Sequence, residues 1–404
     1  MQVASPAVAV TGNLVVEKLD QAVGILREQD VGLWLTFVRE TMLTNDPCLD
    51  LIAGTYSAWT GAFLVSASGE RIAIVGRFDA PSVEQTGAYE VVSYDESIRP
   101  ALRDAVARIA PRSIALNYST SDAAADGLTH GLWLVLQETF EGTPYADRLV
   151  TSESIVNALR GRKSAEEIAR IREAVRETEE IFDVVTRELR PDLSELEIAE
   201  LMHAEIARRG LGYAWGRDHC PAVDAGPEKD VGHSPPGDLR TRRGELLHVD
   251  FGVSRHDYTS DLQRVWYFLD DGESEAPEDV RRAWEAVWAS VDAGTTALRP
   301  GAAGWEVDAA ARASLVAAGY PEPLYALGHQ LGRSAHDGGT TLAPRWDRYG
   351  AAPFGIVEEG NVFTVEYGTA VPGRGYIGLE EDVVVTTDGI EWLSTPQREL
   401  WLVP

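Results

Sequence analysis

Leu246-Leu-His-Val-Asp250-Phe-Gly252 has the character of a buried strand broken by one acid, and Asp261-Leu-Gln-Arg-Val-Trp-Tyr-Phe268 opens a second such run on another acid. Between them Ser254-Arg-His-Asp-Tyr-Thr-Ser260 is polar and reads as a hairpin turn. With its midpoint at Arg255/His256, Asp250 and Asp261 are equidistant from the turn. Residues so placed face each other across an antiparallel pair, Cβ atoms roughly 5 Å apart. The pattern recurs: Val362-Phe-Thr-Val-Glu366 and Ile377-Gly-Leu-Glu380 are equidistant from Gly373, within the turn Pro372-Gly-Arg-Gly375. Glu366 and Glu380 are therefore expected as cross-strand neighbours too. Carboxylates on apolar strands repel one another and are costly to bury unless cations neutralise them. Two divalent metal ions do this, and Gly328-His329-Gln-Leu-Gly-Arg-Ser-Ala-His336 offers a histidine as a fifth ligand. The competing reading, strand acids each paired with an arginine, explains any one of them but not two symmetric pairs beside a glycine-flanked histidine.

Outward from these hairpins, the preceding sequence is helical. Ser164 with Glu167 and Ser194 with Glu197 are capping boxes. The first starts a long amphipathic helix through Ile168, Ile171, Val175, Ile181, Phe182 and Val185, and the second a helix ending around Gly210. Further helices fit 279–298 and 305–318, so the order helix, helix, hairpin appears twice and hints at a pseudo-symmetric α+β domain. Upstream, a helical stripe at Leu19, Ala22, Val23, Ile25 and Leu26 precedes a strand at Leu33–Phe37. A hairpin turns at Ser68-Gly69, and a helix over 101–109 leads to a strand at 114–116. This segment reads as an α/β domain with no motif that carries chemistry by itself. The division is expected as 1–155 and 156–404.

A chain of 404 residues with 44% apolar and 25% charged residues can build two cores without disulfides. Cys48 and Cys220 are far apart and read as reduced structural thiols. The formal charge is −28, with lysine only at positions 18, 163 and 229. Such a surface repels phosphate backbones and argues against a nucleic-acid partner. No stretch approaches the ~20 apolar residues of a membrane span. Met1 to Val16 lacks the basic start of a signal peptide. A cytoplasmic location is the expectation.

From about residue 155 onward, these residues resemble the creatinase/methionine-aminopeptidase superfamily of "pita-bread" metallopeptidases, and within it the Xaa-Pro peptidases. Asp250 followed by Tyr258-Thr-Ser-Asp261-Leu-Gln-Arg264 is similar to the block Asp-x-Gly…Tyr-x-Ser-Asp-x-Thr-Arg. Gly328-His329 to His336-Asp337 is similar to Gly-His-x-x-Gly-x-x-x-His, and Phe363-Thr-Val-Glu366 and Leu379-Glu380-Glu-Asp382 to the two glutamate blocks. The resemblance implies an α/β N-terminal domain and a pita-bread catalytic domain. Asp250 is then a ligand of one metal, His329 and Glu366 of the other, and Asp261 and Glu380 bridge them. Glu381 is set aside because Glu380 holds the hairpin register. His233 and His336 are expected to touch substrate or the developing oxyanion, and Glu366 to shuttle a proton. The remaining histidines, including His203, His219, His248 and His256, receive no role, although His248 shares a strand face with Asp250.

Two positions depart from the pattern. Tyr367 replaces a proline, which is expected to alter a turn, and Gly378 replaces an arginine that orients ligands or substrate in many relatives. Arg333, or Arg39 on the polar loop after Phe37, is the expected partner of a substrate carboxylate. The implied activity is a prolidase cleaving Xaa-Pro dipeptides in a homodimer. The alternatives are an aminopeptidase P acting on longer peptides, a metal-free creatinase-like hydrolase and a non-catalytic peptide-binding relative. The last two are expected to lose ligands, and here all five stand. Manganese leads as the metal, with cobalt or zinc also compatible with oxygen-rich ligation and one histidine.

Overall fold

A computed structural model describes residues 12–229, 232 and 234–404. The first eleven residues, on which most of the leader reading rests, and His233 lie outside the described residues. Two compact units divide the chain, Met1–Arg160 and Gly161–Pro404.

The first unit is built on one mixed sheet of strands β1 (Leu33–Val38), β2 (Gly61–Ser66), β3 (Arg71–Gly76), β4 (Glu90–Tyr94), β5 (Ile114–Leu116) and β6 (Leu149–Thr151), in the order β4-β3-β2-β1-β5-β6. Its central strands β1 and β2 are buried throughout because both faces are covered. Trp34, Phe63, Val65, Ala73 and Val75 join one core with Val15, Leu19, Ala22 and Leu26 of the helix Gly12–Glu28. Leu33, Leu35, Leu64, Ile72 and Ile74 join the other with Leu102 and Val106 of Arg99–Ile109 and Leu132 and Leu136 of His130–Phe140. The expected hairpin turns at Ser68-Gly69, with Gly69 at φ +100°.

In the second unit both capping boxes form. Ser164 Oγ accepts from the Glu167 amide at 3.3 Å and the Glu167 carboxylate accepts from the Ser164 amide at 2.9 Å. Ser194 and Glu197 repeat this at 3.1 and 2.8 Å. They start the helices Ala165–Glu188 and Glu195–Arg209, and the second pair of helices is Glu278–Ala297 and Gly304–Ala317. The strands are β7 (Gly212–Tyr213), β8 (Ala222–Ala225), β9 (Leu246–Phe251), β10 (Val253–Arg255), β11 (Tyr258–Thr259), β12 (Leu262–Phe268), β13 (Val362–Val371), β14 (Gly375–Thr386), β15 (Gly389–Trp392) and β16 (Trp401–Val403). The main sheet runs β13-β14-β12-β9-β8, with β15 on β14 and β16 on β12, while β11-β10-β7 form a small sheet. Each hairpin follows its own pair of helices, and the hairpins join edge to edge where β12 meets β14. Val365, Tyr367 and Leu379 pack with Val280, Val287, Val307 and Ala311 in the helical core. The alternating residues Glu366 and Glu380 therefore belong to the opposite face. Among the described residues no helix is long and apolar enough to cross a membrane.

Glu381, one residue from the site, is turned into the interior. It accepts a paired hydrogen bond from Arg264, both contacts at 3.1 Å, and also bonds Ser394 Oγ at 2.6 Å and the Gln397 amide at 2.8 Å. Arg264 and Glu381 are both fully buried. Removing one partner strands a buried charge. Glu381→Ala should cost roughly 3–5 kcal/mol in denaturant unfolding, and the joint replacement Arg264→Met with Glu381→Leu should restore most of it.

Candidate metal centre

Strand register assembles the site. Glu366 of β13 pairs with Glu380 of β14, Glu380 with Gln263 of β12, and Gln263 with Asp250 of β9, a single row across four strands. The Glu366–Glu380 pairing agrees with the equidistance from Gly373. The first hairpin differs. Its turn is His256-Asp257, both residues in the left-handed region at φ 51° and 64°, with Arg255 opposite Tyr258. Such a two-residue turn matches the right-handed twist of its strands. It shifts the expected register by two residues, so Asp250 stands opposite Gln263, and Asp261, just before β12, is its diagonal neighbour on the same face.

His329 arrives on an extended segment laid along β13. The Thr364 amide donates to the His329 carbonyl at 3.0 Å and the Glu366 amide to Leu327 at 2.6 Å. A side chain at Gly328 would run into the Thr364 carbonyl, which explains the glycine before the histidine. Ligand atoms of Asp261, His329 and Glu380 all lie within 4.8 Å of one another. His329 Nε2 is 3.8 Å from Asp261 Oδ2 and 3.9 Å from Glu380 Oε1. Gln263 Nε2 donates to Glu366 Oε2 at 2.7 Å and to Glu380 Oε2 at 3.1 Å. Asp250, Gln263, His329 and Glu366 line a cavity of about 820 Å³.

The electrostatics of this cluster fit a divalent cation. Burial, and then the charges of Asp250, Asp382 and Glu366, hold the Asp261 carboxyl well above the usual range. Burial and the charges of Asp261, Glu366 and Asp250 do the same to Glu380. Glu366 is pushed up to about 8 by burial and by Asp250, partly offset by the Gln263 hydrogen bond. Burial and the neighbouring His336 lower His329 to about 3, keeping it neutral and able to ligate. Asp261 Oδ1 is buried and meets no hydrogen-bond donor among the described residues. Crowded carboxylates, one neutral imidazole and a buried acceptor without a donor form a donor set suited to divalent metals.

Other expected residues are placed as follows. His336 stands beside His329, ring centroids 4.2 Å apart, and lines the cavity. Arg333 does not line it; its guanidinium lies over the Tyr258 ring, 3.7 Å from Asp257. Arg39 lines a separate cavity of about 310 Å³ in the first unit, with Glu40, Leu43 and Thr44. Tyr367 alters no turn, because β13 runs unbroken through it. Its buried hydroxyl donates to Asp308 at 2.7 Å on the core face. His203 bonds the Cys220 carbonyl, away from the cavity lining. Sequence reasoning missed Gln263, Asp224, Tyr325 and Tyr376, and left His248 as a bystander, although all five line the cavity. The signal for His248 was its strand face. Gln263 needed the correct hairpin register.

A sheet face of buried carboxylates joined by one imidazole defines a candidate divalent-metal site. The chain belongs to metallopeptidase family M24, whose model matches residues 169–387. It is therefore a peptidase that uses divalent metal, in the pita-bread fold. A Bacillus subtilis relative named uncharacterized peptidase YqhT is 24% identical over 85% of this chain and 91% of its own. The structure of an Xaa-Pro dipeptidase from Bacillus anthracis superposes with a TM-score of 0.74 at 21% identity, covering 96% of this chain and 100% of that one. That of an X-Pro aminopeptidase from Thermotoga maritima gives 0.71 at 23%, covering 95% and 99%.

The raised carboxyl groups predict how metal removal acts. An acid whose folded pKa lies above its unfolded value stabilises the fold at low pH and loses that contribution as pH rises through the folded value. Metal-stripped protein should therefore lose thermal stability as pH rises from about 4.5, the ordinary glutamate value, through about 8, the Glu366 value. Added Mn²⁺ should remove that slope and release protons at pH 7, read by melting curves and by calorimetry in two buffers.

Proposed function

We propose that this chain hydrolyses the Xaa-Pro bond of dipeptides at a dinuclear centre held by Asp250, Asp261, His329, Glu366 and Glu380. The row of carboxylates across two pseudo-symmetric hairpins, closed by neutral His329, is the observation that carries the reading. In it Asp250 would hold one ion and His329 and Glu366 the other, with Asp261 and Glu380 available to both. Manganese is favoured by the oxygen-rich set, with cobalt and zinc compatible. Bound ions of this kind lower the pKa of a water and polarise a carbonyl.

The chain's own residues supply the rest. Glu366, a buried carboxylate on the cavity wall that accepts from Gln263, is placed to take a proton from the nucleophile and return it to the leaving proline nitrogen. His336, on the cavity wall beside His329, and His233 donate hydrogen bonds to the tetrahedral oxygen. Pro323, Leu324, Tyr325 and Tyr376 give the cavity an apolar side suited to a proline ring. The likeness to an Xaa-Pro dipeptidase and an X-Pro aminopeptidase supports an Xaa-Pro substrate. The cavity's volume of about 820 Å³ favours a second reading, removal of the residue before proline from longer peptides. A homodimer in the cytoplasm completes the proposal.

Activity on Xaa-Pro dipeptides beside Xaa-Pro-Pro tripeptides, with and without Mn²⁺, separates the readings. Metal-dependent turnover favouring the dipeptide is expected, a tripeptide preference selects the second reading, and metal-independent turnover contradicts both. Glu366→Gln should lose at least about 10²–10⁴-fold in kcat, because one change removes a ligand and the proton carrier. Asp261→Asn should abolish turnover with the fold retained. Retained turnover with full metal occupancy would remove Asp261 from its bridging role. If Arg39 binds the substrate carboxylate, Arg39→Ala should raise KM for the dipeptide far more than for the tripeptide, and equal effects would exclude it.

A further inference from the structure

Gly378 precedes Glu380 by two residues on β14 and shares its face. A Cβ there would stand 2.6 Å from His248 Nε2 and 2.7 Å from Gln263 Oε1, closer than packed atoms allow. The absent side chain leaves the space that these two groups fill. Asp224 stands opposite His248 in the β8–β9 register, its Oδ2 3.0 Å from His248 Nδ1. His248 Nε2 is 2.9 Å from Gln263 Oε1, and the Gln263 amide nitrogen reaches Glu366 and Glu380. Lys229 Nζ lies 3.1 Å from the other oxygen of Asp224. Asp224, His248 and Gln263 are all buried.

Donor chemistry fixes the orientation of every group. Glutamates ionised to bind a cation only accept, so both amide hydrogens of Gln263 point at Glu366 and Glu380. Its carbonyl oxygen must then face His248 and accept from Nε2–H, while Nδ1–H donates to Asp224. The imidazole thus donates from both nitrogens and carries both protons; turning the amide over would set its oxygen against two carboxylates, and turning the ring over would put C–H edges against both acceptors. The amide in turn fixes one oxygen of each glutamate and leaves the remaining lone pairs of both carboxylates for cations.

We propose that Asp224, His248 and Gln263 form a positioning relay, housed in the space opened by Gly378, that holds Glu366 and Glu380 in the orientation that binds metal. This rests on the reading that these glutamates are metal ligands. Groups behind a ligand commonly set metal affinity by about 10–100-fold, and Gln263 serves two ligands together.

The test is Mn²⁺ binding to the full-length chain by titration calorimetry, with dipeptide kinetics at saturating Mn²⁺. Gln263→Met keeps length and burial but removes both donors. It should weaken Mn²⁺ binding by about 10–100-fold and lower kcat more than it raises KM, because Gln263, although on the cavity wall, acts through the ligands. Asp224→Asn, three hydrogen bonds removed from either glutamate, should weaken binding in the same sense. The double variant should fall short of the sum of the two, as members of one network do. Gly378→Ala should act like Gln263→Met by displacing the relay. Glu380→Gln serves as the control and should lose Mn²⁺ outright. Wild-type affinity and kcat in Gln263→Met, or additive effects in the double variant, overturn the relay while Glu380→Gln still fails to bind. Should Gln263→Met not fold, wild-type affinity in Asp224→Asn overturns it. Unchanged binding by Glu380→Gln overturns the metal-ligand reading and the relay with it.

Discussion

Mutual repulsion among buried carboxylates is the constraint on which this catalytic unit depends. Glu366, Glu380, Asp261 and Asp250 share one face of a sheet whose opposite face is a helical core. They are brought together by backbone register and cannot relax apart without breaking strand pairing. Burial then raises the affinity of Asp261, Glu366 and Glu380 for protons. A divalent cation satisfies the same need without neutralising the ligands, so the arrangement that strains the metal-free fold is the one that selects metal.

The second unit divides its charges according to strand alternation. Glu380 faces the cluster, whereas Glu381 faces inward and is matched by Arg264, Ser394 and Gln397. Asp382 returns to the site face, where its Oδ2 accepts from the Asp261 amide at 3.1 Å and fixes the start of β12. Adjacent acids thus do opposite work: one is balanced by protein groups, its neighbour left for a cation. Gln263, His248 and Asp224 add a third arrangement, polar groups that satisfy one another while aiming at the ligands.

Much of this was legible in the sequence because strand period and turn symmetry are local. Glu366 and Glu380 follow from counting outward from Gly373, and the helix starts at Ser164 and Ser194 follow from their capping boxes. The first hairpin was harder. Its turn has no glycine, and left-handed backbone at His256 and Asp257 is not a preference that residue type announces strongly. The two-residue error placed Asp250 against Asp261 and hid Gln263, which takes that place. Tyr367 looked like a disturbed turn because it stands where the resembling pattern has proline, yet its side chain answers to the core through Asp308 and Arg312. The partners of Arg333, Asp257 and Tyr258, come from the tip of the other hairpin, a long-range pairing that no spacing rule supplies.

The most direct measurement is anomalous diffraction from crystals of the full-length chain grown with Mn²⁺. Two manganese peaks about 3.5–4 Å apart are predicted, with Asp261 and Glu380 touching both, Asp250 touching one, and His329 and Glu366 the other. A single peak, or peaks away from these five side chains, would contradict the account.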